Sequence, residues 1–170
     1  GIQITLPNWK HDVTAVFEQH GLRIQYPENW KLEENQVDSK SLEVQLAAPS
    51  GAFWSLLVFE RTKDFHQLMQ ECLKNIEEQY ESMESNSISE HIGGFETSGH
   101  DTFFFYLDLL ISNRMRCFTQ GDFHFLIIWQ AENREFDKLE PVFQAITIGF
   151  LTGLNESFEL RLEPASETQS

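Results

Sequence analysis

Residues 53–59 read FWSLLVF, and this run decides the fold of the chain. Apolar side chains occupy both alternating sets, Phe53, Leu57 and Phe59 in one and Trp54, Leu56 and Val58 in the other. Because successive side chains of a strand point to opposite faces, such a strand has no face suited to water. The run is therefore predicted to be a central strand that is covered on both sides.

The same two-sided apolarity recurs in Phe103 to Ile111 and in Phe123 to Trp129, while Arg114 to Thr119 between them is more polar. Ser112-Asn113 and Gln120-Gly121-Asp122 are predicted to form tight turns. Together these segments predict a meander of three antiparallel strands.

Other strands show one dry face. Leu42, Val44 and Leu46 alternate with wetter residues, which predicts a strand near a sheet edge. Leu22 to Tyr26 is predicted to be another strand, and Val13, Ala15 and Phe17 alternate within the ambiguous segment Leu6 to Gly21.

Two segments show helical periodicity. Asp64 is predicted to cap a helix whose apolar side is Leu68, Cys72, Leu73, Ile76, Tyr80 and Met83, opposite Glu71, Lys74, Glu78 and Glu81. A second helix is predicted from about Phe136 to Ile148, with Leu139, Val142, Phe143 and Ile146 on one side. Pro141 is expected in or near its first turn.

These elements predict an α+β fold, an α/β/α sandwich in which two main helices cover a central antiparallel sheet of about six to seven strands. Parallel winding is disfavoured because short hairpin links leave only two helical segments for crossovers. One globular domain is expected over residues 1–155. Residues 156–170 are expected to form an acidic polar tail, although Phe158, Leu160 and Leu162 alternate as a short strand would.

Composition limits the function. The 170 residues carry 12 Lys and Arg against 27 Asp and Glu, a net charge of −15, and the chain is 41% hydrophobic. Nucleic acid is an unfavourable partner because the densest basic cluster is only Arg114 and Arg116. Solubility explains the acidity more simply than an acidic docking surface for a basic partner does. No apolar run is long enough for membrane insertion.

The two cysteines, Cys72 and Cys117, lack the C-x-x-C spacing of zinc or redox sites. Two free thiols are expected, and a bridge between them stays open. Free cysteines without a visible export signal favour a cytoplasmic location. Because the chain begins at Gly1, a removed leader also stays open.

Candidate chemistry is sparse. Gly93-Gly94 and Gly99 fit hairpin turns or a bulge better than a phosphate loop. His100-Asp101 resembles an imidazole–carboxylate pair, but neighbours in a strand point to opposite faces, so two solvated residues at a strand entry are expected. His124 interrupts an apolar strand and is expected to be a hydrogen-bonded structural histidine rather than a ligand.

Metal and catalytic motifs are absent from the sequence, which has no H-x-x-x-H, no H-x-H and no G-x-S-x-G. The remaining histidines are scattered, namely His11 beside Asp12, His20, His66 and His91. Glu77, Glu78, Glu81 and Glu84 are expected to form a solvated helix face. No catalytic, cofactor-binding or metal-binding residue is predicted, and no cofactor.

Two short motifs carry a resemblance. Tyr26-Pro27-Glu28-Asn29-Trp30 and Phe143-x-x-Ile146-x-x-Gly149-Phe150 resemble the opening and closing signatures of the Mog1/PsbP/DcrB-like family, with Gly149 in place of the more usual serine. The likeness covers roughly residues 22–150, and the motif residues are structural. Members of that family include a partner of a nuclear-transport GTPase, an extrinsic photosystem II subunit, bacterial lipoproteins and chaperones of secreted effectors.

The resemblance therefore implies a platform that binds other proteins, without a shared catalytic residue. A non-catalytic interaction module, adaptor-like or chaperone-like, with a protein partner is the leading hypothesis. The alternative is a small-ligand-binding protein or an enzyme with a phenylalanine-lined pocket. Trp9 is more simply a packed tryptophan than an exposed anchor.

Overall fold

The structure, a computed structural model, describes residues 14–162. Nine strands and two helices make up this described region. In chain order they are β1 Thr14–Gln19, β2 Leu22–Pro27, β3 Lys31–Asp38, β4 Ser41–Ala47, β5 Phe53–Glu60, α1 Phe65–Gln79, β6 Glu81–Ile92, β7 Phe95–Tyr106, β8 Leu109–Gln120, β9 Phe123–Glu132 and α2 Asn133–Thr152.

Seven strands form one antiparallel sheet in the order β3-β4-β5-β9-β8-β7-β6, and β1 and β2 form a separate two-stranded ribbon. The strand predicted from residues 53–59 is β5, which lies between β4 and β9. Its central position is confirmed, and so is the position of β4 next to the edge strand β3.

The two helices lie on opposite faces of the sheet. Trp54, Leu56 and Val58 of β5 pack in a large cluster with apolar residues of α2. The alternate residues Leu57 and Phe59 pack in a smaller cluster with α1. The predicted α+β sandwich is therefore confirmed, because both faces of the central strands find apolar cover.

The predicted positions of two strand ends are wrong. Phe103 to Ile111 is not one strand, since the chain reverses at Leu107-Asp108 between β7 and β8. Ser112 and Asn113 lie inside β8 and are buried instead of turning. Asn113 Nδ2 donates a hydrogen bond to Gln130 Oε1 of the neighbouring strand, over 2.9 Å. The turn prediction failed because Ser112 and Asn113, which are common in turns, can also lie inside a strand when their side chains find hydrogen-bond partners.

The α1 helix begins as predicted and ends early. Asp64 Oδ1 accepts hydrogen bonds from the backbone N–H groups of His66 and Gln67. At the other end Tyr80 is already extended, with φ −129° and ψ 158°, and Met83 lies in β6. The serine-rich residues 82–89 are poor helix formers, and residues 84–89 pair with β7 instead.

The α2 helix is longer than predicted at both ends, and Pro141 is not in its first turn. Proline removes one backbone donor from the helix interior. Here Pro141 is exposed, and so is Asp137, whose carbonyl lies one turn earlier and would otherwise accept from residue 141, so the lost hydrogen bond is on the solvent side of the helix. Deeper in the helix, Thr147 Oγ1 donates to the Phe143 carbonyl and accepts a hydrogen bond from Trp54 Nε1, over 2.9 Å.

The remaining segments pack around α2. The predicted turn after β2 is confirmed, since the Trp30 N–H donates to the Pro27 carbonyl and the Trp30 ring meets Phe143 edge-on at 5.9 Å. Residues 156 and 157 lie in a turn, after which Phe158 contacts Phe125 of β9 and the Arg161 N–H donates to the His20 carbonyl beside the β1–β2 ribbon. The division at residue 155 stays a prediction.

Neither helix of the described region combines the length and apolarity needed to cross a bilayer.

Candidate functional site

The tip of the β7–β8 hairpin carries large apolar side chains in solvent. Leu107 is 78% exposed, Tyr106 52%, Phe105 44% and Leu109 37%. These four residues lie within five positions of the chain, interrupted only by Asp108, and an exposed apolar cluster of this kind often marks an interaction surface. We call Phe105, Tyr106, Leu107 and Leu109 the hairpin tip.

The turn at this tip is conformationally unfavourable. Tyr106 pairs with Leu109, so Leu107 and Asp108 form a two-residue loop, and their φ angles are 49° and 66°. Two positive φ values are typical of a type I′ turn, which asparagine and glycine favour. Leucine in the left-handed region costs roughly 1–2 kcal/mol. Strain retained at an exposed position points to a role outside folding.

A buried aromatic base holds the tip in place. Phe104 is buried and stacks on Tyr80 at 4.5 Å, and Tyr106 meets the same Tyr80 ring edge-on at 5.7 Å. Tyr80 ends α1, so the helix, the edge strand and the hairpin meet here. The tip side chains are therefore presented on a packed support.

Grooves flank the hairpin tip. One, of about 370 Å³, is lined by Tyr80, Ser82 and the tip itself; another, of about 420 Å³, runs toward Gly51 and Glu135. Glu81 and Asp108 line the first groove, and Glu132 and Glu135 line the second. An apolar tip with an acidic surround suits a partner with an apolar depression and a basic rim.

Sequence reasoning missed this tip because FFFYLDLLI was interpreted as a buried strand. The sequence did contain a signal for the position of this turn. The segment between the turns after Ile92 and after Gln120 must hold two antiparallel strands of similar length. The midpoint of β7 and β8 falls between Leu107 and Asp108.

His100 and Asp101 lie in the middle of β7, not at a strand entry. They point to opposite faces, as predicted: His100 lies within 3.5 Å of Ser85 Oγ on the α1 side, and burial lowers its pKa. Asp101 lies on the α2 side and is mostly buried, with Oδ2 2.6 Å from Arg114 Nη1. Asp101 is therefore part of an ionic cluster and not a solvated residue.

His124 is buried and hydrogen-bonded. Its Nδ1 lies 2.6 Å from Thr119 Oγ1, and its ring sits 5.5 Å from Phe59 and 4.8 Å from Phe65. Burial lowers the pKa of His124, so the neutral imidazole is favoured.

Both cysteines are free thiols. They pack with the small cluster under α1. Burial raises the pKa of Cys72 and raises the pKa of Cys117 to about 12. Thiols that resist ionisation are poor nucleophiles.

The other singled-out residues do not converge. Gly93 and Gly94 form the predicted hairpin turn, while Gly99 lies within β7 and forms no turn. His20 lies between β1 and β2, His66 lies on α1, and His91 lies on β6, where its Nδ1 is 2.7 Å from Glu96 Oε1. Glu77 and Glu78 lie on α1, but Glu81 and Glu84 lie on β6, so the predicted single helix face is wrong. Trp9, His11 and Asp12 lie outside the described residues.

Within residues 14–162, no three or more His, Cys, Asp or Glu side chains are grouped to hold a metal ion. The described region instead presents two surface features, the apolar hairpin tip and a charged groove between β6 and α2.

Comparison with known proteins gives the fold. No protein-family model matches the chain, and no curated protein matches it in sequence. The solution structure of cyanobacterial PsbP (CyanoP) from Synechocystis sp. PCC 6803 matches with a TM-score of 0.57 at 11% identity, over 79% of this chain and 88% of that one.

Two crystal structures are also similar. A protein from Bacteroides thetaiotaomicron has a TM-score of 0.50 at 12% identity, over 76% of this chain and 46% of its own. PA94 from Pseudomonas aeruginosa has a TM-score of 0.44 at 13% identity, over 88% of this chain and 99% of its own. At such identities only the architecture is comparable. The chain therefore has the PsbP-like fold that the Tyr26–Trp30 and Phe143–Phe150 motifs resemble.

Proposed function

We propose that this protein is a non-catalytic interaction module, adaptor-like or chaperone-like, which docks a partner protein through the hairpin tip. The observation that carries the proposal is Leu107, a leucine 78% exposed at a positive φ. Folding alone favours a polar or glycine residue there on both counts. A partner that buries the leucine gains hydrophobic free energy that the isolated chain forgoes.

The tip has the properties of an interface anchor. Large apolar and aromatic side chains on a rigid support lose little conformational entropy when they bind. Tyr106 is held by Tyr80, and Phe105 and Leu109 extend the apolar area on either side of the turn. The acidic surround favours a partner whose rim is basic.

Partner capture from the native source tests the proposal. The tagged protein is compared with Leu107→Ser and with Val37→Ser, which removes another apolar side chain, 58% exposed, on the edge strand β3. We expect Leu107→Ser to reduce recovery of a specific partner at least about tenfold, as loss of an anchor does, and Val37→Ser to leave it intact. Circular dichroism checks that both variants fold.

Equal recovery of the same proteins by both variants contradicts docking through the tip. Sedimentation of the wild-type protein separates capture of a partner from self-association. A dimer that Leu107→Ser dissociates would identify the partner as a second copy of this chain.

A second candidate function is small-ligand binding in a groove beneath α1. Leu57, Phe59 and Leu68 form its apolar wall, Lys63 and Asp64 lie at its mouth, and its volume is about 410 Å³. Phe59 is the one phenylalanine in the lining, so the groove is less aromatic than expected. A thermal-shift screen with metabolites tests this function, because a ligand specific to the native state raises the melting temperature.

The cytoplasmic location belongs to the same proposal. Two unpaired thiols, one of them buried, suit a reducing compartment. Cell fractionation with an antibody against the native protein checks it, and recovery in an extracytoplasmic fraction contradicts it.

A further inference from the structure

A second surface lies at the end of strands β6 and β7 that is opposite the hairpin tip. There a groove of about 390 Å³ runs between the end of β6 and the side of α2. Ile88 and Glu90 of β6 form one wall, and Glu140 and Ile148 of α2 form the other. Arg114, Arg116 and Asp101 form the floor, beside Trp129.

The floor is internally neutralised. Asp101 bridges the two guanidinium groups, at 2.6 Å from Arg114 and 2.8 Å from Arg116. Arg116 is buried, lies over the Trp129 ring, and its Nε donates to Glu90 Oε2 over 2.7 Å. An incoming anion would have to displace these carboxylates, which makes the floor a poor anion site.

The floor keeps an unused acceptor. Nη1 of Arg116 donates to the Met115 carbonyl at 3.0 Å and to the His100 carbonyl at 3.5 Å. Its contact with Asp101 Oδ1 is therefore ionic, and that oxygen is buried with no hydrogen-bond donor among residues 14–162.

The groove as a whole is negative. Two guanidinium groups face three carboxylates, of Glu90, Asp101 and Glu140. Glu140 makes no ion pair within the described region. The uncompensated charge is therefore on the α2 wall, opposite the partly exposed Glu90. Ile88 and Ile148 add apolar side chains to the lining of the same groove.

The β6 strand beside the groove is a free edge. It is twelve residues long, it is the last strand of the sheet, and among residues 14–162 no strand pairs with its outer side. An open edge offers a row of backbone N–H and C=O groups to another strand. A segment added there would place alternate side chains on the α2 side of the sheet, over the groove.

We propose that the β6 edge and the adjacent groove form a second docking site, which binds an extended segment of a partner protein carrying a lysine or arginine side chain. The backbone of the segment pairs with β6, and its cationic side chain reaches between Glu90 and Glu140 with its methylene groups against Ile88 and Ile148. Charge complementarity identifies this occupant. A second copy of β6 fits less well, because that strand carries Glu81, Glu84 and Glu90 but no lysine or arginine.

The site does not depend on docking through the hairpin tip. The tip is apolar and solvent-facing, whereas the groove is ionic and lies beside the Gly93-Gly94 turn. The two docking proposals can therefore be contradicted independently of each other.

Titration with short blocked peptides tests the proposal. The probe alternates valine and lysine, and the matched peptide alternates valine and glutamate. We expect saturable binding of the lysine peptide, with amide shifts in residues 88–92 and 140–148, and no binding of the glutamate peptide. An N-methylated form of the lysine peptide, which cannot pair with β6, should lose binding.

Glu140→Gln and Asp137→Asn separate the groove from general attraction to an acidic protein. Both remove one negative charge from α2, but Asp137 is exposed and lies outside the groove. We expect Glu140→Gln to raise the Kd for the lysine peptide about three- to tenfold and Asp137→Asn to change it less than about twofold. Leu107→Ser should leave the Kd unchanged.

Three results overturn the proposal: no binding of the lysine peptide to the wild-type protein, an equal effect of Glu140→Gln and Asp137→Asn, or full binding of the N-methylated peptide. Loss of peptide binding in Glu140→Gln together with intact partner capture would establish the groove as independent of the tip.

Discussion

Strands β6, β7 and β8 are joined by two turns whose residues have positive φ values but differ in side-chain size and polarity. Gly93 and Gly94 adopt φ values of 52° and 88°, and Leu107 and Asp108 adopt 49° and 66°. The first turn uses the residue that has no steric penalty in this region. The second places a large apolar side chain there. Of the two turns, the β6–β7 turn therefore has residues that favour positive φ values, and the β7–β8 turn does not.

Their surroundings explain the difference. A Cβ added at Gly93 would lie 3.3 Å from Leu151 of α2, so this turn packs against the molecule. Leu107 is the most exposed large hydrophobic residue of the described region. The first turn is constrained by folding, whereas nothing inside the described chain constrains the side chain of the second. Selection for an outside contact explains a leucine at that position better than folding does.

The largest expected effect is at Gly99, midway between the two turns. A Cβ on this residue would lie 1.7 Å from the Met115 carbonyl oxygen of β8. We expect Gly99→Ala to lower the free energy of unfolding by about 3 kcal/mol or more, or to prevent folding, because strand backbones must separate. Urea denaturation measures it. Gly149→Ala is the matched control: no atom lies within 4 Å of its added Cβ, and it should stabilise α2 by about 0.5–1 kcal/mol.

The next effect comes from moving the tip residues into the glycine turn. Gly93→Leu with Gly94→Asp should lower the free energy of unfolding by about 2–3 kcal/mol, since two residues enter the left-handed region and one meets Leu151. Urea denaturation again measures the change. If the pair is tolerated without loss, the strain assigned to Leu107 has no basis and the comparison of the two turns fails.

The reverse exchange should stabilise the protein. Leu107→Asn with Asp108→Gly gives the tip the favoured type I′ residues and should raise the free energy of unfolding by about 1 kcal/mol, or the Tm by about 2–4 °C. Partner capture should fall at the same time. A more stable variant that retains capture would contradict the link between strain and binding. A less stable variant would contradict the assignment of strain to Leu107.

The smallest effect is the response to pH, which separates steric from ionic causes. Burial lowers the pKa of His124 and of His100 below the ordinary value of 6.5. The unfolded chain then binds more protons than the folded one, so stability is complete above about pH 6.5 and falls as pH drops below it.

Unfolding measured between about pH 7 and about pH 5.5 checks this sign. His124→Gln should flatten the curve, whereas both turn exchanges should shift it without changing its slope, because neither turn contains a histidine. A changed slope in a turn variant would indicate that its energetics are electrostatic.

Much of the architecture was predictable from local pattern. Two-sided apolarity placed β5 in the centre of the sheet, and Asp64 marked the start of α1. The error in the β7–β8 segment has a clear cause. A run such as FFFYLDLLI has the same local composition as a buried strand or as an exposed hairpin tip, and only the lengths of the paired strands distinguish the two.

The site residues divide in the same way. His100 and Asp101 were correctly assigned to opposite faces, because alternation is a property of any strand. The burial of Asp101 was not predictable, because its two arginines lie on a different strand and the helix that shelters them, α2, lies further along the chain. Pro141 was misplaced for a related reason, since a solvent-facing proline is compatible with a helix interior that local rules disfavour.

The sequence by itself determined the sandwich, the acidity and the lack of a recognisable catalytic motif, because alternation, charge and motif spacing are local quantities, whereas the free state of the two thiols came from the structure. The tertiary structure alone decided where the ribbon reverses, which apolar residues remain in water, and which carboxylates meet Arg114 and Arg116. Those features depend on which distant segments pair with one another. The stability of a strand pair depends on the neighbours that each strand meets in the folded protein, and a single stretch of sequence does not specify them.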